Sequence, residues 1–287
     1  MDFKTKFNNY ITQVNNNLNN IFDGKSGSTY EAMRYSLYAG GKRVRPVLTL
    51  ACCEALDGNY EAALCYASSI EMIHTYSLIH DDLPCMDDDN LRRGKPTNHI
   101  VFGENIAVLS GDALLNYACE NIANFQKGTP AMNLNALRVL FSASGADGMI
   151  GGQVLDLMAE NRIISAQELA ELHKKKTGAL IKASASLGAI SASKDENLFS
   201  DYASALGLAF QICDDILDVE SDTETFGKPV HSDEKNNKTT YITLYGIDGA
   251  KAMFLEETEK AIASLDFLGN RGEFLKEFAL YLLGRKN

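Results

Sequence analysis

Tryptophan is absent, prolines number only five in 287 residues, and no apolar run approaches the roughly 18 residues that a membrane-spanning helix requires. Scarce proline leaves long helices uninterrupted, and the lack of a span argues against membrane insertion. The opening stretch, MDFKTKFNNYITQ, lacks the apolar core of a secretory signal, so the cytoplasm is the expected location. Excess positive charge is also missing. A formal net charge of −11 speaks against a general affinity for nucleic acid or anionic lipid, both of which need clustered cations, although an acidic chain can still bind anions locally. The six cysteines (Cys52, Cys53, Cys65, Cys85, Cys119 and Cys213) include no CxxC pair and no adjoining histidine cluster. That argues against a zinc site and leaves reduced, mostly buried thiols as the expectation.

What the chain does have is helical periodicity. Apolar residues recur at helix spacing over 31–37, 44–56, 60–79, 105–125, 132–144, 166–187, 199–219 and 250–265, whereas strand alternation is weak everywhere. The Asn-rich stretch 15–20 carries Val14, Leu18, Ile21 and Phe22 at the same spacing, which predicts a polar-faced first helix. Breaks are short, so the expectation is one all-α domain over residues 1–287. Ser165 and Glu168 form a capping-box pattern at the start of 166–187. Gly178, inside that helix, predicts close packing or a kink.

Two acidic clusters stand out. At about 100° per residue, Gln211, Asp214 and Asp218 lie within about 60° of one another, while Ile212, Ile216, Leu217 and Val219 fill much of the opposite side. Carboxylates crowded beside a core repel unless a cation intervenes, and an all-oxygen face suits Mg²⁺. On its own this cluster reads equally well as a solvated helix face. The other cluster, HDDLPCMDDD, spans residues 80–89 and ends an apolar helix that Pro84 should break or kink. Arg92 and Arg93 follow directly, and guanidiniums beside a metal are suited to diphosphate oxygens, although in isolation surface ion pairs to Asp88 and Asp89 would be the better explanation. Upstream, GGKRVRP (residues 40–46) sets a flexible backbone and three cations at a helix start, a good second anion site. His74 precedes Asp81 by seven residues, about 10.5 Å along a helix on the same face, with its protonation state open.

Taken together, GGKRVRP, IHTYSLIHDDLPCMDDDNLRRGKPTNH (73–99), SGDALL (110–115), GGQVLD (151–156), KKTGAL (175–180) and FQICDDILDVESDTETFGKP (210–229), followed by Lys238-Thr239-Thr240-Tyr241, resemble the trans-isoprenyl diphosphate synthases, or polyprenyl synthetases. The resemblance implies a helical bundle around a deep central cavity, the isoprenoid synthase fold, and a homodimer. It implies that Lys42, Arg45, His74 and Arg93 bind isopentenyl diphosphate, and that Arg92, Lys176, Thr177, Gln211, Lys228 and Lys238 serve the allylic diphosphate. Lys176, Thr177, Gln211 and Arg92 would be catalytic, Thr177 and Gln211 lying near the developing carbocation. Asp81, Asp82, Asp87, Asp214 and Asp218 would hold a trinuclear Mg²⁺ cluster, with Asp82, Asp88 and Asp215 either direct ligands or supports.

The spacer Leu83-Pro84-Cys85-Met86 and bulky Tyr76, five positions before Asp81, resemble bacterial farnesyl diphosphate synthases and imply a C15 product. Small Ser77, only about 40° from Asp81 on an ideal helix against about 140° for Tyr76, favours a longer chain and makes a C20 geranylgeranyl synthase the alternative. A terpene cyclase would lack the GGKRVRP site, and a non-catalytic subunit of a heteromeric synthase would have lost one cluster or its cations. Val230-His231 departs from the family's usual second glycine, leaving Lys235 without a clear role, and Arg285-Lys286 could close over the diphosphate or form a solvated tail.

Overall fold

The structure, a computed structural model, describes residues 2–160, 162–220 and 238–283. Helices dominate: α1 Phe3–Ile21, α2 Ser28–Leu37, α3 Val44–Ala55, α4 Tyr60–Asp81, α5 Asn98–Phe102, α6 Glu104–Ala123, α7 Pro130–Ser144, α8 Met149–Ala159 and α9 Ala166–His173. A π-helical turn, Lys174–Gly178, joins α9 to α10 Ala179–Ser191, and α11 Ser200–Glu220, α12 Tyr241–Ala263 and α13 Glu273–Leu283 follow. The only sheet among the described residues is a hairpin of β1 Leu91–Arg92 and β2 Lys95–Pro96, paired antiparallel.

Local chemistry sets the helix ends. Asn59 accepts from the Ala62 amide to open α4, and Thr129 with Pro130 opens α7. The Ser165–Glu168 capping box is formed in both directions, at 3.3 and 2.9 Å. Pro84 does not kink α4: the helix stops at Asp81, capped by Asp82, because the proline two residues on forbids another turn. The long helix expected over 166–187 is interrupted by the π-turn and runs on to Ser191.

The core forms where helices are apolar nearly all round. Eleven of the thirteen residues of α10 are buried, and α3, α4 and α11 pack with it through Leu48, Leu50, Ile70, Ile73, Leu187 and Leu206, each fully buried. Fully burying a side chain of this kind is worth roughly 1.5–3 kcal/mol. Helices α3 and α10 come so close that a Cβ on Gly188 would lie 2.5 Å from Cys52 Cβ, and Thr49 Oγ1 donates to the Ser184 carbonyl at 3.0 Å. A smaller apolar cluster of Ile164, Leu169, Leu172, Ile212, Ile216 and Tyr241 ties α9, α11 and α12 together. The acid-bearing ends of α4 and α11 belong to this framework, with Asp82, Asp215 and Asp218 themselves buried.

Candidate active site

At the end of α4 the chain folds back on itself. The Asp87 amide donates to the Asp81 carbonyl at 2.9 Å and the Asp88 amide to the Leu83 carbonyl at 3.1 Å, with Asp88 in the left-handed region. The four-residue spacer thus returns Asp87 to Asp81. Burial, then the nearby Asp87 and Asp82 charges, push the Asp81 carboxyl up to about 6 against the pull of Lys176 and Arg92. Asp82 is 3% exposed and accepts from Arg92 Nε at 2.6 Å and from its Nη2 at 2.5 Å. Arg92 also reaches Asp89 at 3.4 Å.

Periodicity gave no hint of the hairpin that delivers Arg92. Its two-residue loop, Arg93-Gly94, has φ of 54° and 73°, the geometry a tight hairpin needs. Arg93 Nη1 donates to the Gly40 carbonyl, and a Cβ on Gly41 would sit 2.6 Å from the Arg93 guanidinium carbon. With φ of 95° and 126°, Gly40 and Gly41 make the surface on which Arg93 rests. Of the three cations expected at the start of α3, Lys42 is exposed and Arg45 lies near enough to Asp214 and Arg93 to feel their charges, but Arg43 is 4% exposed and turned into the core. Burial lowers Arg45, with Glu71 and Asp214 drawing it up and Arg93 pressing it down. Burial also holds His74 well below 6.5, reinforced by Arg45, Arg93, Arg92 and Arg43, so its imidazole is neutral at pH 7.

On α11, Asp215 is 3% exposed and spans two elements, accepting from Gln211 Nε2 at 3.1 Å and from the Tyr241 amide at 2.9 Å. Thr177 Oγ1 donates to Gln211 Oε1 at 3.3 Å, so the amide is oriented from both ends. Asp218 is 4% exposed on the same helix, and Asp214 lies near enough to Arg45 to act on its charge. Lys176 Nζ meets Asp156 Oδ2 at 2.5 Å and Lys238 meets the same oxygen at 3.3 Å. Burial pushes the Asp156 carboxyl up, but the two lysines outweigh it and hold it below the ordinary value. Asp156 went unassigned at the sequence level, although the GGQVLD motif contained it. A Cβ on Gly152 would lie 2.2 Å from the Lys176 amide nitrogen, and this close approach of α8 to the π-turn brings Asp156 to the lysines.

Tyr76 is 5% exposed, stands edge-on to His80 at 5.7 Å, and feels the Asp81 charge; its hydroxyl has no hydrogen-bond partner among the described residues. Ser77 donates to the His74 carbonyl at 2.9 Å. Lys228, Lys235 and Arg285-Lys286 lie outside the described residues. Among those described, no three acidic, histidine or cysteine groups converge enough to hold an ion unaided. The donor set still fits Mg²⁺, because the Asp81 carboxyl is destabilised by its acidic neighbours and Mg²⁺ completes its shell with waters and substrate phosphates rather than an all-protein cage.

The polyprenyl synthetase family model matches residues 27–266. The chain is 46% identical over 247 residues to the farnesyl diphosphate synthase of Geobacillus stearothermophilus, covering 83% of each. It is 47% identical over 247 residues to the chloroplastic geranylgeranyl pyrophosphate synthase of Capsicum annuum, covering 84% of this chain and 67% of that one. Its fold superposes with a TM-score of 0.88 on an FPP/GFPP synthase of Zymomonas mobilis, 36% identical, with 98% of each chain covered.

Proposed function

Since the chain belongs to the polyprenyl synthetase family, we propose that it is a Mg²⁺-dependent farnesyl diphosphate synthase that condenses isopentenyl diphosphate with dimethylallyl and then geranyl diphosphate. The observation that carries this reading is the meeting of two cation sets with the two acid clusters: Arg45 and Arg93 act on His74, with Arg45 also under the charge of Asp214, while Arg92 and Lys176 act on Asp81 and Lys238 joins Lys176 on Asp156. Two anionic substrates need two such sets.

In this mechanism Arg92, Lys176 and Lys238 draw off charge as the allylic diphosphate departs. Lys228 would join them from outside the described residues. Asp81, Asp87, Asp214 and Asp218 would hold up to three Mg²⁺ ions, which when bound neutralise diphosphate oxygens; Asp82 is engaged with Arg92 and positions it. Lys42, Arg45, His74 and Arg93 hold isopentenyl diphosphate so that its double bond attacks the allylic cation. The new cation then loses a proton to the released diphosphate. Thr177 and Gln211 turn oxygens toward the positive charge, and apolar helix walls keep out the water that would quench it. No Ser or Cys nucleophile takes part.

The C15 product rests on buried Tyr76 near Asp81. A C20 product is the second reading, favoured by Ser77 and by the comparable identity to a geranylgeranyl synthase. A non-catalytic subunit is disfavoured because both clusters and their cations are present. One domain over residues 1–287, a homodimer and a cytoplasmic location complete the proposal. The test is incorporation of labelled isopentenyl diphosphate by the homogeneous protein with Mg²⁺ and dimethylallyl diphosphate, with product length read by mass spectrometry. Mainly C15 diphosphate is expected, with Asp81→Ala and Asp214→Ala inactive; accumulation of C20 would overturn the product assignment.

A further inference from the structure

One cation of the GGKRVRP segment does not face the site. Arg43 donates from Nη1 to Glu71 Oε1 at 2.5 Å, from Nη2 to the Leu37 carbonyl at 2.5 Å and from Nε to Asn15 Oδ1 at 3.0 Å. Both side chains of the Arg43–Glu71 pair are 2% exposed. The guanidinium thus joins α1, the end of α2 and the middle of α4, and its own backbone is left-handed, with φ 48° and ψ 36°. A non-glycine residue stays in that conformation only when its surroundings enforce it.

The sequence neighbours of this pair matter. Arg43 lies next to Lys42 and two residues before Arg45, while Glu71 lies one helical turn before His74. We propose that Arg43 and Glu71 are positioning residues: their buried ion pair fixes the loop bearing Lys42 and Arg45 against the helix bearing His74, and so sets the isopentenyl diphosphate site without touching substrate. The inference rests on the two-substrate reading above. It explains why a third cation in a diphosphate-binding segment is withdrawn from the diphosphate.

Removing one partner alone strands a buried charge, whereas replacing both with apolar groups of similar volume preserves folding. The informative variant is therefore Arg43→Met with Glu71→Met, compared with Glu71→Gln and Arg43→Lys. We expect the double variant to melt close to wild type, to raise KM for isopentenyl diphosphate at least tenfold and to leave KM for geranyl diphosphate within twofold. Glu71→Gln should raise the same KM, and Arg43→Lys should recover part of the loss. Should the double variant melt early, the two single variants report the same split in KM. An unchanged isopentenyl diphosphate KM in folded protein would overturn the proposal, as would an effect of Arg43 variants that Glu71→Gln does not share, because Arg43 would then bind the diphosphate itself. Amide exchange over residues 39–46 without substrate reads the pinning directly. It should quicken in the double variant and stay unaltered in Lys42→Ala; equal exchange in all three proteins would overturn the pinning even if the wild type incorporated no isopentenyl diphosphate.

Discussion

Asp81 shows what single residues contribute and what they cost. Burial pushes its carboxyl up to about 6 in the folded chain from an ordinary value near 3.8, so between those values the folded state holds more protons and loses stability as pH rises. Above about pH 6 the buried carboxylate is a net burden in metal-free protein. Asp81→Asn should raise the stability of that protein at pH 7.5 by about 1–3 kcal/mol, with the gain gone below about pH 4, while abolishing turnover. Thermal melts at the two pH values check it. His173 has the opposite sign: burial holds its imidazole at about 4, below the ordinary 6.5, so acid favours the unfolded chain. A His173→Phe variant, keeping the stack on Tyr241, should be spared about 1–2 kcal/mol of the stability that wild type loses between pH 7 and 5. Tyr76→Ala should lengthen the product beyond the wild-type length if the ring bounds the growing chain; an unaltered product distribution would remove Tyr76 from that role.

At the scale of elements, the site depends on one close contact between helices. Where α8 meets the π-turn, a Cβ on Gly152 would clash with backbone, which cannot yield as a side-chain tip does. Gly152→Ala should therefore cost about 1–3 kcal/mol and, by separating Asp156 from Lys176, lower kcat/KM for the allylic substrate at least tenfold. Denaturant melts with steady-state kinetics separate the two effects. The π-turn is the register device that makes this possible: its extra residue shifts Lys176 and Thr177 relative to the helix on either side, and Thr177 then meets Gln211.

For the whole molecule, the carboxylates of α4 and α11 and the cations that oppose them come from elements far apart in sequence, so ligand that bridges them should tighten the entire fold. Mg²⁺ with inorganic diphosphate at about 100 times its dissociation constant should stabilise the protein by about 2.7 kcal/mol. Scanning calorimetry would show a rise in Tm for wild type and none for Asp81→Asn. Neither Mg²⁺ alone nor diphosphate alone should match the pair, because no described acid group forms a complete cage by itself.

Periodicity, scarce proline and capping residues were enough to define the helical class and most helix bounds, since each acts within a few turns of chain. The motifs likewise named both acid clusters and most of their cations. Some elements escaped that reading: α5 has only five residues and the hairpin strands two each, too brief for a period to register, α8 carries a glycine pair in its middle, and α13 and the start of α12 at Tyr241, nine residues before the expected 250, were also missed. Side-chain direction was equally hidden. Arg43 and Arg45 read alike as cations, yet only packing turns one into the core; Asp156 gained meaning from two lysines that lie 20 and 82 positions away. Residue type and local spacing thus determined which chemistry the chain can perform. Tertiary structure decided which charges are withdrawn into the core and which are paired with one another, because desolvation and partner geometry depend on helices that meet only after folding.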